Sequence, residues 1–245
     1  MKLKKHLLVT ILVGLAVFVI AFAATAALAG PPELQVPPPG SERIQLADED
    51  FDGWRYTAYR EEKNVVLQIT LEDTSPEGLE SFRTVNRQMA RDLVRQQEML
   101  KVSVVLNQPL SLAEFTELVE KYGLHVYGFQ VRIIDGRGDR VTLFGSSDGD
   151  QLVRKDLLQT MLERVQDQTG EATLLGVTTI DADISPSGYD VLSKEQVVFL
   201  VDLTPGFAEY HMQKQRASLL EADDFVTIAA YPVYWYLESN RQAQP

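Results

Sequence analysis

Three histidines are available for acid–base chemistry, and one of them, His6, sits in a basic N-terminal stretch. A nucleophilic Ser or Thr needs a base beside it. His125 opens an aromatic-rich apolar stretch, where a partly buried histidine in a packing role is expected. His211, in Tyr210-His211-Met212, is expected on the surface or in packing. No Gly-x-Ser-x-Gly elbow occurs. The absence of cysteine excludes thiol catalysis, thiolate metal sites and disulfide stabilisation.

Carboxylates are the next resource. Asp148-Gly149-Asp150, Asp181/Asp183 and Asp223-Asp224 are local acid clusters. Asp181 and Asp183 would share one face of a strand, because side chains repeat every second residue. That geometry suits a hard cation, but no calcium loop of the Asp-x-Asp-x-Asp-Gly type accompanies it. Acidic turns and an exposed strand face are the simpler expectation. Arg137-Gly138-Asp139 reads as a turn, its glycines supplying positive φ. Phosphate loops and dinucleotide fingerprints are missing. The residues therefore define no catalytic, cofactor-binding or metal-ligating set, and no cofactor is implied.

The elements that would position these groups begin with a leader. Lys2, Lys4 and Lys5 precede an uncharged run from Leu7 to Leu28, and Ala27-Leu28-Ala29 before Gly30 has the small-x-small form that signal peptidase needs. Cleavage between Ala29 and Gly30 is expected, with a retained membrane anchor as the close alternative. Both place the remainder outside the cytoplasm. The chain has 245 residues and net charge -12; with three of its 23 basic residues and none of its 35 acids in the leader, the body carries -15. Such a body repels nucleic-acid backbones, so nucleic acid is not an expected partner.

Residues 30–50 read as a proline-rich linker, extended and semi-rigid. Residues 51–98 read as a β-hairpin (Trp54 to Arg60, Val65 to Glu72) and a helix capped by Ser75-Pro76. Leu79, Phe82, Val85, Met89 and Leu93 form its packed face. Arg83, Arg87, Arg91 and Arg95 lie largely elsewhere, and pairing with surrounding acids is expected of them. Residues 99–204 carry strands at Leu100 to Leu106, His125 to Ile134, Val141 to Phe144, Thr173 to Ile184 and Gln196 to Leu203. Helices separate them at Ser111 to Tyr122, Leu152 to Gln168 and Ser185 to Leu192. Residues 205–245 add a helix to about Leu220 and a strand from Phe225 to Leu237, with Pro232 arguing for an edge.

Two β-α-β units in series predict an α+β fold: a ferredoxin-like antiparallel sheet with helices on one face, elaborated at both ends. The run Gly176-Val177-Thr178-Thr179-Ile180-Asp181-Ala182, the Ser-Pro-opened helix and Val197-Val198-Phe199-Leu200-Val201-Asp202 resemble the closing β-α-β of subtilisin-type protease propeptides and inhibitor-like domains. Val104-Val105-Leu106-Asn107-Gln108-Pro109-Leu110-Ser111-Leu112 similarly resembles the opening of exported bacterial domains. The resemblance implies the same ferredoxin-like sheet.

Tyr231, Tyr234, Trp235 and Tyr236 are the candidate interaction residues, since aromatics dominate interface hot spots; closing the core is their other expected use. The functional expectation is an exported module, tethered to the membrane if the leader is retained, that binds a protein or peptide without catalysing a reaction. The rival is an extracytoplasmic enzyme using dispersed carboxylates or a bound metal. A sensor domain signalling through a retained anchor is a third reading.

Overall fold

The computed structural model describes residues 43–147, 151–230 and 233–243, so the leader with Ala29 and Gly30, the acid pair at 148–150 and Tyr231 lie outside the described residues. The chain is α+β, with two mostly antiparallel sheets and six helices among the described residues. The first sheet has the order β1-β2-β3-β9, formed by β1 (Ile44–Phe51), β2 (Trp54–Glu61), β3 (Asn64–Leu71) and β9 (Phe225–Ala230). The second has the order β6-β5-β7-β4-β8, formed by β4 (Leu100–Leu110), β5 (His125–Asp135), β6 (Arg140–Ser146), β7 (Ala172–Ile184) and β8 (Val198–Asp202). The helices are α1 (Pro76–Leu93), α2 (Leu112–Tyr122), α3 (Lys155–Thr169), α4 (Pro186–Leu192), α5 (Thr204–Gln215) and α6 (Val233–Ala243). No helix among the described residues is long and apolar enough to cross a membrane.

Local chemistry sets most of the boundaries. Ser75, Ser111 and Ser185 each accept a backbone N–H in the first turn of α1, α2 and α4, and Glu114 completes a capping box at α2. Gly123, left-handed at φ 60°, ends α2. Gly176 lets β4 and β7 approach where their register shifts: at φ 136° a Cβ there would lie 2.1 Å from the Leu110 carbonyl oxygen.

Two cores meet at the five-stranded sheet. On one face Val102, Val104, Phe129, Val131 and Ile180 pack against Phe115 and Leu118 of α2, Leu158 of α3, and Tyr189 and Leu192 of α4. On the other, Val105, Phe199 and Leu200 join Trp54, Tyr56, Ala58, Val65 and Leu67 of the first sheet, with Ala208 and Met212 of α5 and Tyr234 and Leu237 of α6. Helix α1 serves both, giving Leu79, Phe82 and Val85 to the second core and Ala90 and Leu93 to the first. Helices on one face only is thus corrected: Val104 and Val105 point oppositely, and both surfaces are too apolar to be left wet.

Two boundaries also change. The linker expected over 30–50 ends early, because Ile44–Phe51 is a strand paired with β2. Ala47, Glu49 and Phe51 lie opposite Ala58, Tyr56 and Trp54, and the acids between them hide the alternation. The strand expected over 225–237 stops at Ala230, and Val233–Ala243 is helical. Val233, Tyr234 and Leu237 then fall on one buried helical stripe, and that burial overrides the β preference of the aromatics.

Candidate functional site

The aromatic run of α6 is turned largely inward by one buried cation. Arg132, the charged residue inside the apolar core of β5, is 1% exposed. Its Nη1 donates to Thr142 Oγ1 at 2.6 Å, and its Nη2 donates to Glu238 Oε2 of α6 at 2.6 Å. The guanidinium carbon sits 4.4 Å from the Trp235 ring centre and 5.7 Å from that of Tyr234. Burial draws the Arg132 pKa down from the usual arginine range while the Glu238 carboxylate opposes it. Arg140 approaches Glu238 at 3.6 Å, and Arg241 donates to the Asn107 carbonyl. Tyr234 is buried, and Trp235 and Tyr236 are half-buried. Of the expected interaction residues, Tyr234 and Trp235 hold α6 on the sheet through Arg132 instead of presenting a free aromatic surface. The signal missed in the sequence was Arg132 itself, a lone charge within Phe129 to Ile134.

The Asp181/Asp183 pair does share a face, but its partners come from other elements. Ser103 Oγ of β4 donates to Asp181 Oδ1 at 2.6 Å, and Lys101 Nζ pairs with Glu209 of α5 at 2.6 Å. Lys101 lies 5.7 Å from the Tyr127 ring centre. Burial raises the Asp181 pKa above the carboxylate range, with Ser103 and Lys101 opposing it. Tyr127 is raised as well, by burial and then by the charges of Asp181, Asp183 and Glu209. No group of three metal-ligating side chains occurs among the described residues.

His211 of α5 is a packing residue: its Nδ1 lies 2.8 Å from the Tyr56 hydroxyl, and its ring stacks on Phe207 and meets Phe51 edge-on. Burial lowers its pKa and raises that of Tyr56 to about 12. His125, expected to be partly buried, is exposed at the first position of β5. Arg137-Gly138-Asp139 is a turn in which Asp135 Oδ1 accepts the N–H groups of Arg137 and Asp139, with Gly138 at φ 85°. A cavity of about 10 Å³ between α3 and the β5–β6 hairpin is lined by Phe129, Val131, Leu143, Leu158 and Met161 and is large enough for one water.

Two surfaces remain open. In the first sheet β9 is terminal, paired with β3 alone among the described residues. Phe225 donates its N–H to the Lys63 carbonyl, so by the two-residue period Val226, Ile228 and Ala230 direct theirs to the free edge. The strand carries no charge, and Phe225 is 58% exposed. On α1, Arg83 pairs with Glu80 as expected, but Arg87, Arg91 and Arg95 are exposed and meet no carboxylate within 4.0 Å among the described residues. That part of the pairing expectation is corrected. No family model, no curated protein and no solved structure matches the chain.

Proposed function

We propose that the chain is an exported, non-catalytic module that binds an extended peptide as an added strand on the free edge of β9. The observation that supports this reading is the edge itself: three outward N–H groups on an uncharged strand. The opposite edge of that sheet, β1, carries Asp48, Glu49 and Asp50, which discourage pairing there. Export is supported by the lysines and apolar run of the leader, and cleavage after Ala29 would release the body from the membrane.

The ferredoxin-like reading belongs to the same proposal. Taking β4, β5, β7 and β8 as the four strands of a split β-α-β repeat, their order in the sheet is fourth, first, third, second. β6 and α3 then form an insertion between the halves. The carboxylate enzyme reading would need Asp181 open to a substrate, and it is instead engaged by Ser103.

The test is selection of binders from a random peptide library on the exported chain, followed by amide exchange. Bound peptide is expected to protect the amides of Val226, Ile228 and Ala230, and Ala230→Pro, which removes one outward donor, is expected to weaken binding. Protection confined to another element would overturn the assignment. N-terminal sequencing of the exported chain checks the leader: Gly30 as first residue is expected.

A further inference from the structure

We infer that the ridge formed by Arg87, Arg91 and Arg95 is a second docking surface, and that its partner is a narrow acidic protein segment. The inference rests on the reading of the chain as a binding module but uses a different face from β9. Residues four apart on a helix stack on one side, about 6 Å per step. Arg87 and Arg91 occupy successive turns of α1, and the turn after Leu93 carries Arg95 onward along the same side. A helix C-terminus favours cations at Arg91 and Arg95 through its dipole. Arg87 lies a full turn further back, where the dipole gives no reason for it.

Within a body of net charge -15, three neighbouring guanidinium groups without an ion-pair partner among the described residues concentrate unpaired positive charge on one helix. Each presents a planar fork of donors matched to carboxylate oxygens. Apolar contact is available beside them. Tyr189 of α4 lies within electrostatic reach of Arg87, and Val191 of the same helix is 55% exposed. Leu100 pairs with Ile184 at the end of β7 that leads into α4, so Met99, 40% exposed, closes the same end of the ridge.

The flanking charges choose the partner. Asp92, Glu98 and Asp190 are exposed near this end of the molecule. A planar anionic bilayer would bring all three within about a Debye length, roughly 10 Å, and be repelled by them as well as by the acidic body. A single acidic helix or extended strand can lie along the arginines and keep its carboxylates clear of those acids.

The experiment measures binding of a fluorescein-labelled Glu-rich peptide carrying one Leu to the full chain by anisotropy, with the Gln-for-Glu peptide and phosphatidylglycerol vesicles as the other arms. Arg87→Gln, Arg91→Gln and Arg95→Gln together are expected to weaken the Glu peptide at least about tenfold, as three modest exposed pairs require. Added salt is expected to do the same to the parent chain. The matched control replaces the exposed Arg55, Lys155 and Arg164 by Gln and is expected to bind as the parent does; melting temperatures of both triple variants check folding. Equal loss in both variants, equal binding of the Gln peptide, or recovery of vesicles in place of peptide would overturn the inference. Protection of the β9 amides is read separately, so failure here leaves the edge-strand reading standing and failure there leaves this one.

Discussion

Replacing Asp202 by Asn should make the protein more stable at neutral pH and leave it nearly unchanged at pH 4. Asp202 ends β8, is 6% exposed, and accepts the Thr204 N–H at 2.9 Å where α5 begins. Beside it Asn86 Oδ1 accepts the Leu203 N–H at 2.7 Å. Burial raises its pKa from 3.8 to about 6, against the hydrogen bonds from Thr204 and Asn86 that favour the charged form. A raised carboxyl pKa means that the folded chain holds the proton more tightly than the unfolded one. Stability therefore falls as pH rises from about 4 to about 6, and the cost is complete above that window. At about 1.4 kcal/mol per pH unit, the ionised carboxylate costs about 3 kcal/mol at pH 7. Asn keeps the acceptor oxygen and removes the titration. For a chain of this size the gain corresponds to a rise of roughly 6–12 °C in melting temperature at pH 7, shrinking to near zero at pH 4. The assay is thermal unfolding of both chains at half-unit steps of pH from 4 to 8. The slope of the difference is the readout, since a constant offset reports only how the amide packs. A difference that stays flat, or that grows as pH falls, would refute the reasoning.

Three further outcomes follow from the same packing. Glu238→Ala strands the buried Arg132 and is expected to cost about 3–5 kcal/mol in urea unfolding, whereas Arg132→Met with Glu238→Leu should recover most of it. Gly176→Ala drives a methyl into the Leu110 carbonyl from a backbone at φ 136°, so the chain should lose several degrees of melting temperature or fail to accumulate. Glu62, the non-glycine residue at positive φ (58°) in the β2–β3 turn, should gain up to about 1 kcal/mol on conversion to Gly, measured by chemical denaturation.

Much of this architecture is written in short-range patterns. The Ser caps with Pro or Glu behind them, Gly123 after Tyr122, and the period-two and period-3.6 runs place β2 to β8 and α1 to α5 within a few residues of where they stand. Such signals are legible because each depends on a hydrogen bond or a torsion satisfied within one turn. The charge runs and aromatic runs were not legible in the same way. Ala-Asp-Glu-Asp before Phe51 reads as spacer until Tyr56 and Trp54 stand opposite, and Tyr-Trp-Tyr reads as strand until Arg132 stands beneath it.

What the sequence alone determined, then, is the acidic composition without thiols and the class of elements, because these follow from composition and local geometry. The tertiary structure decided which charges are used. Arg132 and Arg87 are the same residue type a few dozen positions apart, yet one is sealed under an aromatic helix against Glu238 and the other meets no carboxylate on the surface of α1. Whether a charge finds its partner depends on residues more than a hundred positions away being folded to within about 3 Å, and no local pattern carries that distance.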